Sequence, residues 1–194
     1  MTIEDRKQLR KSKIQARDNL SPEEREAFSG QIVERILASK EFQKAKTIMI
    51  YRATRGEVCL EELERAAEGL NKRLVYPLCI SDKEMIALLP KKNAISAWKD
   101  GYMGIKEPVR EHSIEINPEE IDMVICPCTV FDEQGGRMGM GKGFYDRYLG
   151  KCTNACVAAV AFEVQKTKCV PKEAWDKEMD MILTEKNTYK RGNF

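Results

Sequence analysis

The rhythm of apolar and polar positions changes near residue 45. Before that point the chain reads as helix. Residues 3–19 are dense in Arg, Lys and Gln, with Ile3, Leu9 and Ile14 as scattered apolar positions. Ser21-Pro22-Glu23-Glu24 predicts a second helix start. Ser21 can cap, the fixed φ of Pro22 suits the first helical position, and Glu24 completes a capping box. The apolar residues that follow, Phe28, Ile32, Val33, Ile36 and Leu37, keep to one helical face.

Beyond residue 45 short apolar runs alternate with helices and turns. Residues 47–51, 73–76, 85–89, 122–126 and 157–162 are strand candidates, with a helix across about 58–69. The runs are continuous in apolar character rather than alternating, as expected of strands covered on both faces of a parallel sheet. Strands separated by helices predict right-handed crossovers and a three-layer α/β/α, Rossmann-like architecture with a mostly parallel central sheet. Residues 98–120 are less regular and are expected to form a loop over the sheet edge or over the site. No repeat, linker or low-complexity tract interrupts the pattern, so a single domain spanning 1–194 is expected. That length can remove roughly 70% of the unfolded surface from water.

Composition narrows the function classes. With 42% hydrophobic and 33% charged residues, disorder is not the default reading. The formal net charge of +2 gives no global field demanding a nucleic acid. The first residues lack the apolar core of a secretory signal, and no run approaches the roughly 18 apolar residues of a membrane span. Seven cysteines, an odd number, several of them inside apolar runs, read as buried reduced thiols of a cytoplasmic protein rather than a disulfide frame. Cys126-Pro127-Cys128 and the Cys152 and Cys156 pair lack zinc-site spacing. The single histidine, His112, lies in a charged stretch and reads as surface.

The most informative chemistry lies in residues 131–149. Five of the chain's twelve glycines (Gly135, Gly136, Gly139, Gly141 and Gly143) fall within nine positions, after a buried strand and before an expected helix. Glycines accept positive φ and let backbone N–H groups converge on an anion. The start of the next helix adds unpaired donors and the positive dipole end. Arg137 and Lys142 bring charge to the same loop, and a polyphosphate is its natural guest. The loop matches neither common phosphate pattern. Gly136-x-x-x-x-Gly141-Lys142 is followed by Gly143 instead of the Ser or Thr of a P-loop, and the dinucleotide fingerprint fails at Phe144. A long glycine turn with ordinary surface cations is the bland alternative.

At these residues the sequence resembles the 5-formyltetrahydrofolate cyclo-ligase family, also called methenyltetrahydrofolate synthetase. Arg137-Met138-Gly139-Met140-Gly141-Lys142-Gly143-Phe144-Tyr145-Asp146-Arg147 is similar to that family's signature. Further similarities follow in order along the chain. They are Arg6-Lys7-Gln8-Leu9-Arg10, Glu57-Val58, Gly104-Ile105-Lys106-Glu107-Pro108, Trp175-Asp176 and residues 180–185. The resemblance implies ATP-driven closure of 5-formyltetrahydrofolate to 5,10-methenyltetrahydrofolate, with magnesium (Mg2+) as cofactor and ADP and phosphate as products. Phosphorylation would turn the formyl oxygen, a poor leaving group, into a good one.

The same resemblance implies roles for named residues. Arg6, Lys7, Arg10 and residues Arg137, Met138, Gly139, Met140, Gly141, Lys142, Gly143, Phe144 and Tyr145 would bind ATP, with Lys142 and Arg137 catalytic at the phosphates. Arg52 and Glu57, with Met140, Gly141, Lys142, Gly143 and Phe144, would contact the folate. Asp146 and Asp180 fall at the magnesium positions. Two departures stand out: Lys142 replaces a frequent glycine and adds charge, and Phe144 lacks the hydroxyl of the usual tyrosine. Read without the resemblance, Asp146 is a first-turn helix acid, Asp180 a strand-edge acid, Arg6 and Arg10 a solvated face and Glu57 an early helical acid. Trp98 and Tyr102 can line a pterin pocket but read more simply as packing. No nucleic acid or membrane is expected as a partner, and the chain is expected to be a monomer. The alternative function is a sugar-phosphate isomerase or transferase on a related fold; a nucleic-acid binder using the basic first helix is disfavoured.

Overall fold

The computed structural model describes residues 3–91, 97–101, 106–173 and 175–192. Helix α1 (Ile3–Asp18) is followed by α2 (Pro22–Ala38), whose start carries the predicted capping box. Ser21 Oγ accepts the Glu24 N–H at 3.1 Å, and the Glu24 carboxylate accepts the Ser21 N–H at 2.8 Å. A cap of this kind stabilises a helix by about 1 kcal/mol. The expected face of α2 is buried at Ile32, Val33 and Ile36. A one-turn α3 (Lys40–Lys44) then leads into β1 (Thr47–Met49), and α4 (Glu61–Gly69) connects β1 to β2 (Arg73–Cys79).

The remaining strands are β3 (Met85–Pro90), β4 (Trp98–Asp100), β5 (Lys106–Pro108), β6 (Ser113–Ile116), β7 (Met123–Pro127), β8 (Val130–Phe131) and β9 (Arg137–Met138). Helix α5 (Phe144–Leu149) precedes β10 (Cys156–Val160), β11 (Met181–Leu183) and β12 (Thr188–Lys190). The described residues form an eight-stranded sheet in the order β12-β11-β10-β7-β1-β2-β3-β6. Its five inner strands, β11 to β2 in that order, are parallel, and the strands at both edges are antiparallel. The mostly parallel α/β sheet is as expected.

Two expectations need correction. The run at 85–89 is continuous like its neighbours but runs antiparallel to β2. Only five residues, Ile80, Ser81, Asp82, Lys83 and Glu84, separate it from Cys79. Ile80 N–H donates to Glu84 O at 3.0 Å and Ser81 Oγ accepts Glu84 N–H at 3.0 Å. A connection that short makes a hairpin and cannot make a crossover. Residues 98–120 are also not one loop. β4 and β5 form a small ribbon, and β6 adds to the sheet edge beside β3. Tyr102, Gly104 and Ile105 lie outside the described residues.

Side chains on the central strands alternate between two cores. Ile48, Ile125 and Val160 face the layer of α2 and α4, whereas Met49, Val124 and Ala159 face the layer of α5. Burial on both faces is why these strands read as unbroken apolar runs. Among the described residues no helix is long and apolar enough to cross a membrane. All seven cysteines are free, and burial pushes the thiols of Cys126 and Cys128 up to about 12, where they stay protonated and inert.

The connectivity also fixes where a ligand can enter. The chain leaves β1 through α4 toward β2 on one side, and leaves β7 through α5 toward β10 on the other. β1 and β7 are adjacent, so their carboxyl ends diverge and open a crevice at the topological switch point.

Candidate active site

A cleft of about 580 Å³ opens at that crevice. The chain past β1 supplies Tyr51, Arg52, Thr54 and Glu57, the chain past β7 supplies Cys128 and Thr129, and residues 139–144 form the facing wall. Arg6 and Arg10 of α1 and Trp175 of the closing segment complete the rim.

The glycine run divides into two parts with different jobs. Gly135 and Gly136 belong to the turn joining β8 to β9. Asp132 accepts the N–H groups of Gln134, Gly136 and Val170 at 3.0, 2.8 and 2.7 Å. A Cβ at Gly135 would sit 2.6 Å from the Met179 carbonyl. These two glycines build the fold. Gly139, Gly141 and Gly143 line the cleft, and Gly141 and Gly143 hold φ of 96° and 67°, which L side chains rarely adopt. The helix after them, α5, has only six residues, so the loop's own backbone N–H groups carry more of any anion contact than a helix dipole does.

Charge around the loop is fixed rather than mobile. The Arg137 side chain, 2% exposed, lies beneath the loop instead of projecting into it. It donates to the Pro127 carbonyl at 3.0 Å and to Asp146 Oδ1 at 3.1 Å, with its guanidinium 5.6 Å from the Tyr145 ring centre. Arg137 lines the cleft, as a buried and paired cation rather than a mobile one, and it positions Asp146 and the strand end. Lys142 is exposed at the cleft wall, and its carbonyl accepts Arg147 Nη2 at 2.9 Å. Arg147 also donates to Lys83 O at 2.9 Å, which ties the loop to the β2–β3 turn.

Helix α1 clamps the opposite rim. Arg10 Nε donates to the Gly139 carbonyl at 3.0 Å, while Arg6 donates to Pro171 O at 2.9 Å and pairs with Asp176 and Glu173 at 3.4 and 3.6 Å. Both predicted arginines reach the cleft. Lys7 is exposed and is not part of its wall, whereas Met138 lines the cleft and is also packed against Val130 and Val170.

The other wall is built on aromatic rings. The Arg52 guanidinium lies 4.5 Å from the Trp98 ring centre and 5.2 Å from that of Tyr76, and its Nη1 meets Glu64 Oε2 at 2.7 Å. Tyr76 O–H donates to Glu64 Oε1 at 3.1 Å. Trp98 thus sits behind Arg52 as a positioning residue rather than in the cleft wall. Glu57 accepts the Thr54 N–H at 3.1 Å, and burial pushes its carboxyl above the usual range. Burial also holds the Tyr145 phenol well above its ordinary value, so it remains a donor at any working pH.

The two predicted magnesium residues are not brought together. Asp146 lines the cleft, oriented by Arg137. Asp180 stands just before β11, at the amino end of the sheet, where Oδ2 accepts the Val157 N–H at 2.8 Å. Magnesium is commonly held through one or two carboxylates plus phosphate oxygens. Asp146 fits that pattern alone; the Asp146 and Asp180 pair does not. Among the described residues no group of three His, Cys, Asp or Glu is arranged around a common point.

Tyr51, Cys79, Thr129, Lys106 and Trp175 also line the cleft and were not read from the sequence as site residues. Tyr51, Cys79 and Thr129 lie at or just past the carboxyl ends of inner strands, a position that marks ligand sites in open α/β sheets. Lys106 falls in a segment that carries the family resemblance, but nothing in that segment marks it as a site residue.

Comparison with known proteins identifies the family. The model of the 5-formyltetrahydrofolate cyclo-ligase family matches residues 2–185. The chain is 28% identical over 185 residues to the 5-formyltetrahydrofolate cyclo-ligase of Haemophilus influenzae, covering 94% of this chain and 99% of that one. It is 29% identical over 182 residues to the Mus musculus protein of the same name, covering 86% of each. The solved structure of Aquifex aeolicus 5,10-methenyltetrahydrofolate synthetase superposes with a TM-score of 0.84 at 31% identity, covering 97% of this chain and 94% of the other.

Proposed function

Because the chain belongs to the 5-formyltetrahydrofolate cyclo-ligase family, and is thereby an enzyme of the ligase class, we propose that its cleft closes 5-formyltetrahydrofolate to 5,10-methenyltetrahydrofolate with ATP and magnesium. The observation that carries this reading is the convergence, in one cleft, of a cationic glycine loop on one wall and the Arg52 and Glu57 wall on the other. A nucleotide held by the first can meet a folate held by the second.

In this reading the formyl oxygen attacks the γ-phosphorus and ADP departs. N10 then attacks the activated formyl carbon. The carbon–oxygen bond breaks, inorganic phosphate leaves and N10 loses its proton. The protein positions the reactants and neutralises the moving phosphoryl group. Lys142 and the N–H groups of residues 139–143 face the phosphates, with Arg10 closing from α1. Arg6 holds the closing segment, and Arg137 orients Asp146. Magnesium, held by Asp146 and the phosphates, would supply charge neutralisation. Glu57, raised by burial, and Arg52, pinned by its aromatic cage, orient the folate.

One chain supplies both walls, which supports action as a monomer; light scattering of the active protein checks this. The isomerase-like alternative has no support once the family is known. The decisive assay follows the near-ultraviolet absorbance of the methenyl product with 5-formyltetrahydrofolate and magnesium, with and without ATP. An ATP-dependent rise, lost in a Lys142→Ala/Asp146→Asn double variant that melts like the parent, is expected. A flat trace from folded wild-type protein overturns the assignment.

A further inference from the structure

The wall that carries Arg52 is held from behind by a residue that is not part of the cleft lining. Glu64 sits on α4, the crossover that joins β1 to β2, and both of its carboxylate oxygens are taken by cleft residues. Oε2 accepts Arg52 Nη1 at 2.7 Å, and Oε1 accepts the Tyr76 O–H at 3.1 Å. Arg52 comes from the chain past β1 and Tyr76 from β2, so one carboxylate ties three consecutive elements together. The Glu64 side chain is 13% exposed and that of Arg52 29%. Burial raises the Glu64 carboxyl above its usual range, while the Arg52 charge opposes that rise.

The aromatic box alone does not aim Arg52. Its guanidinium lies against the Trp98 and Tyr76 rings, which meet edge to face with centres 4.7 Å apart. Ring faces attract a cation but leave its N–H groups free to turn. The Arg52 Nε is buried and has no hydrogen-bond partner among the described residues. The directed bond to Glu64 therefore fixes which way the rest of the guanidinium fork points. Removing either partner would leave the other charge partly buried and unpaired, so the two side chains act as a unit.

We propose that Glu64 is a positioning residue for the folate: without touching it, Glu64 sets the orientation in which Arg52 meets the ring end. This rests on the folate reading of the Arg52 wall given above. The nucleotide wall, made by the glycine loop and α1, lies across the cleft. The competing role is an ion pair that fastens α4 to the sheet and does nothing for a ligand. The two roles differ in whether the effect of Glu64 passes through Arg52 and in which ligand it reaches.

The test is a double-mutant cycle read by calorimetric titration. Wild type, Glu64→Ala, Arg52→Met and the double variant are each titrated with 5-formyltetrahydrofolate and, separately, with ATP. Glu64→Gln is added because its amide oxygen can still accept from Arg52 while its NH2 group meets the Tyr76 hydroxyl. Glu64→Ala is expected to weaken folate binding about tenfold, as loss of one charge-assisted hydrogen bond would give, and to leave ATP binding as in wild type. Arg52→Met should weaken folate binding at least as much, and adding Glu64→Ala to it should change nothing further. Glu64→Gln, expected to melt close to wild type, should recover most of the affinity lost in Glu64→Ala.

Unchanged folate binding in Glu64→Ala overturns the proposal. So does an undiminished effect of Glu64→Ala in the Arg52→Met background, or equal weakening of folate and ATP, since either shows a role in the fold alone. Folate binding as weak in folded Glu64→Gln as in Glu64→Ala also overturns it, because the hydrogen bonds are then not what matters. Wild-type folate affinity in Arg52→Met removes Arg52 from the folate wall, and the proposal with it. If wild type binds no folate, the folate reading itself fails.

Discussion

The two ends of the central sheet use their carboxylates in opposite ways. At the amino end, Asp122 accepts the N–H groups of Lys46 and Thr47 at 2.7 and 2.8 Å, and Asp180 accepts that of Val157. Both acids serve backbone donors at the starts of parallel strands. At the carboxyl end, Asp146 is held by an arginine side chain, Glu57 is buried above its usual range, and both face a cleft. Acids at the first end close the sheet; acids at the second remain available to a ligand. A carboxylate's role in this fold therefore follows from which strand terminus it serves, and Asp180 and Asp146 fall on opposite sides of that division.

The sharpest way to break the comparison is at Asp146. Asp146→Asn should lower kcat/KM by about two to three orders of magnitude, as loss of a transition-state charge partner does, and raise the magnesium concentration needed for half-maximal rate. An unchanged magnesium titration would remove it from the metal site. Lys142→Ala is expected to lower kcat by about a hundredfold with little change in melting temperature, because the residue is exposed. A normal kcat would leave only the backbone of the loop to neutralise the phosphoryl group.

At the other end, Asp180→Ala should cost about 1 kcal/mol of stability, the loss of one backbone hydrogen bond, read by denaturant unfolding. Its magnesium titration should match the wild type. A shifted titration would place Asp180 functionally with Asp146 despite the geometry.

The smallest effect concerns Glu57 and pH. Burial raises its carboxyl in the folded protein, so between the ordinary value of about 4.3 and the raised one the folded state holds more protons than the unfolded state. Stability contributed by this group therefore falls as pH rises through that window. Glu57→Gln should flatten the decline in unfolding midpoint across that range, while weakening folate binding if the carboxyl orients the ring. An unaltered pH profile would show that the residue is solvated in the folded state.

Much of the fold was legible from local pattern. The capping box at Ser21 and Glu24, the buried face of α2 and the five central runs all depend on neighbours within a few residues, and all are present. The hairpin at 80–84 was misjudged because a strand buried on both faces reads the same in either direction. Only the shortness of its connection gave the direction away. The site was legible at the glycine loop, at Arg10 and at Glu57, where residue type and spacing carry the chemistry.

Sequence by itself determined that this chain makes a glycine loop after a buried strand, that its central strands are covered on both faces, and that it resembles one family throughout its length. These follow from backbone freedom, period and residue order, which are properties of short segments. Tertiary structure alone decided that Gly135 and Gly136 are turn residues while Gly139, Gly141 and Gly143 face a cleft. It also decided that Arg137 lies under the loop paired to Asp146, that Asp180 stands at the far end of the sheet, and that Tyr76 and Trp98 cage Arg52. Each of these depends on which strands lie side by side and which of their ends point the same way, and chain crossovers set that over distances no local pattern records.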